Sequence, residues 1–533
     1  MTRTTEPPAG SSTAAAADKN RPARVFHPLL FAAYPVLSLL AYNIEEIKVQ
    51  DGLRALLAVL LLGGLAHLAL ARLLKNPYRS GVIVTLGLVL FFSYGQVYNL
   101  LNRLDLPGIA LGRHRLLLPL WGLLFAAGLA WALRRKGRFP MLTYALNAMG
   151  LFLVVFPLLQ IGLYAARSAG ENARPTAAEV QLAQLALPAG QPAPDIYYII
   201  LDAYGRQDYL KRSVKLDNRP FLKELQELGF YVARCSQSNY AQTRLSLASA
   251  LNMDYLDRLN ENFRPGSTTR VGLTHLIHSS AVRGELEAAG YTSIAFETGF
   301  KGTQWEDAGV YISPSANQGL LGGLFGGLSG FEQLLLRTSA GLALINSRPG
   351  PQAGLGSTMN NSNRAHYDLI RYNLEQLEAL PQRPGGPKLV FAHLVIPHPP
   401  YVFGPDGQYL DFDQQDDPGY RDQITYINSR ILPLLKRIIE TSTVPPVIIL
   451  QGDHGAILAP PNDRMSILNA YYLPGIDPAQ LRDDISPVNS FRLVFNRYFG
   501  ASYDYLPDRA LFSVYNKPYE FSLVENDLQS CRK

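Results

Sequence analysis

The chain has 533 residues, of which 47% are hydrophobic and 17% charged, and its mean hydropathy is near zero. That length exceeds one ordinary domain, and the balance describes a very apolar part joined to an ordinary soluble part. A net charge of +6 without a block of five or six like charges argues against a nucleic-acid partner, and two cysteines 296 positions apart exclude a cysteine-based metal motif while leaving a disulfide open.

Residues 1–24 are polar and rich in Ala, Thr and Pro, without the apolar core or cleavage site of a signal peptide. They read as a disordered cytoplasmic tail. Five apolar runs follow, roughly 26–44, 53–74, 80–101, 116–134 and 141–166. Each approaches the ~20 residues that a helix needs to cross a bilayer. Residues 25–167 are therefore expected to be a transmembrane bundle of about five helices. Arg72, Lys75 and Arg79 flank the second loop, and Arg134, Arg135, Lys136 and Arg138 fill the fourth. The first loop carries Glu45, Glu46 and Asp51 against Lys48. This distribution predicts a cytoplasmic N-terminus and, after five spans, an extracytoplasmic soluble part. None of the five runs carries an acidic residue in its middle, which speaks against a transporter.

Residues 168–194 are rich in Ala and Pro and read as a linker with a short helix around 177–187. The soluble part, 195–533, opens with DIYYIILDAYGR, whose residues 196–201 suit a strand buried on both faces. Further strands are predicted at 292–297, 388–395 and 447–451. Helical spacing of apolar residues over 218–229 and 420–440 separates them. Strands alternating with helices predict an α/β domain around a largely parallel sheet. Residues 317–363 break this pattern with a Gly-rich apolar insertion, read either as an interfacial segment that helps admit a lipid or as a plain insertion.

In a parallel sheet, functional groups gather beyond the carboxyl ends of strands. Asp202 follows the first strand, His393 and His398 close the one at 388–395, and Asp453 and His454 follow the last. Two carboxylates and imidazoles at one rim suit a divalent cation. SNYAQTRLSLAS (238–249) offers hydroxyls at Thr243, Ser246 and Ser249, each either a nucleophile activated by a metal or a helix cap.

DIYYIILDAYGR, SNYAQTRLSLAS, HLVIPHPPY and QGDHG, in this order, resemble the alkaline phosphatase/sulfatase superfamily. Within it they are most similar to the membrane-bound phosphoethanolamine transferases and lipoteichoic acid synthases, whose catalytic domain also follows about five spans. The resemblance implies a nucleophile at Thr243 and metal ligands at Asp202, Thr243, Asp453 and His454. It places His398, with His393, on the transferred phosphate. Asp202 stands where the transferases usually have Glu. They often carry a further His about a dozen residues after DHG; here Arg464 is the nearest cationic side chain, a candidate substrate contact beside a single metal. Zn, Mn, Mg and Ca are not distinguished by these residues.

The expected activity is that of a multi-pass cell-membrane phosphoryl-group transferase or phosphoester hydrolase acting on a lipid-linked or surface-glycan substrate. A sulfatase proper is the alternative, but its C-x-P-x-R motif is missing: position 243 is Thr and position 245 is Leu. The remaining alternative is a membrane-anchored scaffold or sensor on a degenerate enzyme fold.

Overall fold

The computed structural model describes residues 24–102, 114–135, 139–172, 192–314, 329–346, 361–410 and 416–532, together with Leu185 and Gly190. The tail expected over 1–24 (Arg24 apart) and the linker helix expected around 177–187 (Leu185 apart) lie outside the described residues. The chain forms two compact units. The first holds residues 1–41, 52–159 and 334–343, and the second holds 42–51, 160–333 and 344–533. The boundaries thus differ from a simple division at the linker: 42–51 and 160–167 of the expected transmembrane part belong to the second unit, and 334–343 of the expected soluble part to the first.

Five apolar helices make the N-terminal region: α1 (His27–Tyr42), α2 (Leu53–Leu74), α3 (Pro77–Asn102), α4 (His114–Arg134) and α5 (Pro140–Asn172). Four of them, α2 to α5, are long and apolar enough to cross a membrane. The first expected span falls short. At 16 residues, α1 is about 24 Å long against a ~30 Å hydrocarbon core, because residues 43–52 leave the helix for turns and a 3₁₀ segment. Leu57, Leu61, Leu62 and Leu65 of α2, and Phe152 and Phe156 of α5, are exposed. Such a surface is costly in water and is covered by a bilayer at no such cost.

The Gly-rich insertion is described from 329 to 346 and carries two helices, Gly330–Arg337 and Gly341–Asn346. Its residues 334–343 belong to the apolar unit. The Ala340 amide donates to the Phe91 carbonyl of α3 at 2.7 Å. Gly95 of α3 lies so close to this segment that a Cβ there would meet the Thr338 backbone at 2.5 Å.

The second unit is built on a seven-stranded sheet of order β2-β7-β6-β1-β5-β3-β4. Its strands are β1 (Ile196–Leu201), β2 (Tyr231–Val232), β3 (Thr292–Phe296), β4 (Val310–Ile312), β5 (Lys388–Leu394), β6 (Val447–Gln451) and β7 (Asn469–Tyr472). The four strands expected from the sequence are β1, β3, β5 and β6, and all pair in parallel. The sheet also gains β4 in parallel, and β7 and β2 pair antiparallel at the other end.

β1 is buried on both faces, as its unbroken apolar run requires. Tyr197, Ile199 and Leu201 face one core with helices Arg219–Glu227, Asn361–Ala379 and Asp417–Thr441. Ile196, Tyr198 and Ile200 face the other, with helices Thr243–Asn252, Val271–His278 and Ser490–Tyr498. The result is a three-layer α/β domain whose sheet centre, β6-β1-β5, is parallel. Cys235 and Cys531 form a disulfide with Cα atoms 5.1 Å apart, a separation such a bond accepts.

Candidate metal and active site

Strand register brings the polar ends together. Ile200 of β1 pairs with His393 of β5 and with Gln451 of β6. Asp202 follows two residues after Ile200, and Asp453 two residues after Gln451, so both carboxylates stand at one level of the rim. The backbone locks the arrangement. Ala203 adopts a left-handed conformation (φ 66°), unusual for a residue with a Cβ. Its amide donates to Asp453 Oδ1 at 3.0 Å, and the His454 amide donates to the same oxygen at 2.9 Å. Asp453 Oδ2 is buried without a hydrogen-bond partner, as is Asp202 Oδ1.

The imidazole of His454 points between these two oxygens. Its Nε2 lies 3.4 Å from Asp453 Oδ2 and 3.6 Å from Asp202 Oδ1. On the other side of the ring, Nδ1 lies 2.9 Å from the Gly455 carbonyl. A carbonyl only accepts, so Nδ1 carries the proton and Nε2 presents a lone pair. Burial, then the neighbouring Arg464 guanidinium, lowers the His454 pKa to about 4. The ring is therefore neutral near pH 7. Burial alone would raise the Asp202 pKa, but the imidazoles of His398 and His393 outweigh it and hold the carboxyl well below its ordinary value.

Thr243 reaches the same point from another element. It opens helix Thr243–Asn252, and the residue in the cap position is Gln242, in extended conformation. The Thr243 hydroxyl does not cap the helix; its Oγ1 lies 3.2 Å from His454 Nε2. Ser246 is buried within that helix, and Ser249 Oγ donates to the Asp254 carbonyl at 2.6 Å. Of the three candidate hydroxyls, only Thr243 lines the cavity at the strand ends, whose volume is about 520 Å³.

His393 and His398 both line this cavity, but differently. His393 is almost fully buried. Its Nε2 lies 3.1 Å from Asp202 Oδ2 and its Nδ1 lies 3.1 Å from Thr303 Oγ1. Asp202, His393 and Asp453 together offer ligand atoms within 4.8 Å of one another. His398 is less buried, and its Nδ1 sits 2.6 Å from the Pro399 carbonyl, which leaves Nε2 free. Arg464 Nε donates to the Ala241 carbonyl at 3.0 Å, and Nη2 lies 3.4 Å from His454 Nε2.

The residues present fit a divalent cation. Two buried carboxylate oxygens lack partners, a neutral imidazole offers a lone pair between them, and a hydroxyl oxygen stands beside it. Two buried carboxylates against one guanidinium leave a net negative charge, which favours a cation between them.

Several cavity residues carry no sequence signal. Arg244, Arg270, Glu46 and Tyr515 line the same space as Thr243. An arginine after a candidate nucleophile has no motif, and Glu46 lies about 200 positions from Arg244.

No family model matches the chain, and no curated protein matches it. Solved structures do. The chain is similar to the C-terminal periplasmic domain of EcEptC from Escherichia coli in complex with Zn, at 13% identity and a TM-score of 0.39 over 65% of this chain and 97% of that one. It is similar to the integral membrane lipooligosaccharide phosphoethanolamine transferase A of Neisseria meningitidis, at 12% identity and a TM-score of 0.40 over 89% of this chain and 95% of that one. It is similar to the lipoteichoic acid synthase LtaP of Listeria monocytogenes, at 12% identity and a TM-score of 0.34 over 63% and 78%. At such scores no residue here takes its role from these proteins.

Proposed function

We propose that the chain is a membrane-anchored, metal-dependent phosphoryl-group transferase or phosphoester hydrolase with Thr243 as its nucleophile. The observation that carries this reading is the convergence of Thr243 Oγ1, His454 Nε2 and the two unpartnered carboxylate oxygens of Asp202 and Asp453. The sequence resemblance supports it.

Asp202, Asp453, His454 and Thr243 would hold the ion. A bound divalent cation favours the threonine alkoxide and offsets charge on phosphoryl oxygens. Thr243 Oγ1, its proton released to solvent, attacks phosphorus, the bond from phosphorus to the leaving oxygen breaks, and a phosphothreonine ester forms. His398, anchored through Nδ1, donates a proton from Nε2 to that leaving oxygen. It then takes one from the water or acceptor hydroxyl that resolves the ester. Arg464 faces a phosphoryl oxygen once the His454 lone pair is engaged elsewhere. His393 holds Asp202 through Oδ2, which leaves Oδ1 open as a ligand, and would itself be a further ligand. The first turn of helix Thr243–Asn252 adds backbone amides for the anion.

We also place this domain outside the cytoplasm. The loop between α2 and α3 and that between α4 and α5 carry Lys75 and Arg79, and Arg135, Lys136 and Arg138. Positive loops face the cytoplasm, so whatever follows α5 faces the other side, whether or not α1 crosses. Residues 42–51 precede α2 and by the same rule face that side too. They belong to the unit that contains the site. A disulfide suits the same compartment. The substrate class favoured by a membrane anchor is a phospholipid donor or a surface-glycan acceptor.

Mass spectrometry of Thr243 peptides tests this reading, after the metal-loaded protein is incubated with defined phospholipids. The expected result is a phosphoryl-containing adduct on Thr243, whose mass identifies the group transferred. A Thr243→Ala variant that keeps full turnover of phosphodiesters would falsify the assignment.

A further inference from the structure

Beside Thr243 the cavity holds two more guanidinium groups, which the proposed chemistry does not use. Arg244 and Arg270 are 10% and 9% exposed at their side chains. Each faces a carboxylate from the segment 42–51. Arg244 pairs with Glu46, and Arg270 Nη1 stands 4.0 Å from Glu45 Oε2. The Tyr515 hydroxyl donates to Glu46 Oε1 at 3.1 Å. The glutamates are less enclosed than their partners, at 34% and 30% exposed.

The arginines are held by more than these glutamates. The stem of Arg244 rests on Gly302, where a Cβ would meet its Cδ at 2.6 Å. Arg270 lies over the Tyr515 ring, 4.2 Å from its centroid. It also donates to the Tyr515 carbonyl and to Gln242 Oε1. Both guanidiniums are thus fixed wall, and the carboxylates are laid on them from a distant part of the sequence. Asp202 and Asp453 face Arg464 and the proposed ion site, not these two guanidiniums. Among the described residues, the carboxylates set against these two positive charges are Glu45 and Glu46.

We propose that Arg244 and Arg270 form a second anion subsite next to Thr243, which takes a phosphate-class group of the substrate, and that Glu46 occupies it in this state. The segment 42–51 then acts as an internal competitor, displaced when a substrate presents an anionic group beyond the one under attack. Guanidinium forks suit phosphate oxygens in the way they suit a carboxylate. The proposal rests on the phosphoryl-transfer reading for what the subsite serves, but binding to it needs neither the metal nor Thr243.

The test is calorimetric titration of the full chain in detergent, stripped of metal with chelator. The probes are inorganic phosphate and dihexanoyl phosphatidylglycerol below its micelle concentration. Glu46→Gln removes the competing charge and is expected to tighten binding about tenfold, ~1.4 kcal/mol. Adding Arg270→Gln to that variant is expected to abolish the gain, and adding Arg270→Lys to restore part of it, which separates a lost contact from a lost fold. Tightening for both probes means that the free anion suffices. Tightening for the lipid alone means that the headgroup is the ligand. Either result upholds the subsite. Unchanged affinity for both probes in Glu46→Gln overturns it and leaves the pairs as structural ties. If Thr243 is never labelled while Glu46→Gln still tightens binding, the phosphoryl-transfer reading fails and the subsite stands.

Discussion

Burial keeps the His454 imidazole neutral to about pH 4, the form in which a histidine can bind a metal ion. The same burial makes the metal-free protein sensitive to acid. An unfolded histidine takes up a proton below ~6.5, whereas folded His454 refuses one until about 4. Stability is therefore lost as pH falls through that window, by about 3 kcal/mol at ~1.4 kcal/mol per pH unit. Thermal unfolding of the metal-stripped full chain from pH 7 to pH 4 should show this slope, and His454→Gln should flatten it. An equal slope in both proteins would assign the loss to other groups. At this scale the sequence was legible where a polar residue interrupts an apolar run, as at Asp202 and at Asp453-His454. It was silent on Arg244, Arg270 and Glu46. Their meaning lies in contacts between positions 46, 244, 270 and 515, which no local pattern encodes.

Among the elements, the turn after β6 shows how backbone packing places a side chain. Gly455 does not use a left-handed conformation. Its lack of a side chain instead lets residues 463–466 lie directly on it, and the Gly455 amide donates to the Arg464 carbonyl at 2.7 Å. A Cβ would stand 2.4 Å from the Asp463 carbonyl oxygen and 2.8 Å from that of Ser466. These are backbone atoms, which cannot rotate aside. Gly455→Ala should therefore cost about 1–3 kcal/mol and displace Arg464 from the cavity. Denaturant melts and phosphate affinity measured on one preparation would check both effects, and an unaltered melt would refute the packing argument. Strand reading from sequence succeeded for β1, β3, β5 and β6, because a run buried on both faces needs no partner to be recognised. It missed β2, with two residues, β4, with three, and β7, which opens at Asn469 and offers only NAYY. Such strands exist because a neighbour pairs with them. The first expected run, 26–44, outlasts its helix for a related reason: Ile44 extends the apolar pattern but lies in a turn that belongs to the second unit.

For the molecule as a whole, the disulfide gives a test of compartment. Both cysteines are paired. Maleimide tagging of protein denatured without reductant should add no mass, and after reduction it should add two tags. Two tags before reduction, in protein taken from its native membrane, would place the domain on a reducing side and contradict the orientation argued above. The division into a membrane part and an α/β part was legible from composition alone, since long apolar runs and alternating elements differ in period and length. The exchange of residues 42–51 and 334–343 between the units was not, because each is too short to carry a pattern of its own.

Strand order has a further consequence, for the time before the domain is complete. β1 is the first strand made, yet it lies at the sheet centre, and its two neighbours, β5 and β6, arrive about 190 and 250 residues later. Until residue 451 is available, β1 has a bare edge of apolar residues, the kind of surface that recruits another chain. The candidate ligands Asp453 and His454 arrive with the strand that covers this edge. Closing the sheet and bringing Asp453 and His454 beside Asp202 are thus one late event in the life of the chain, and a partly made domain has neither.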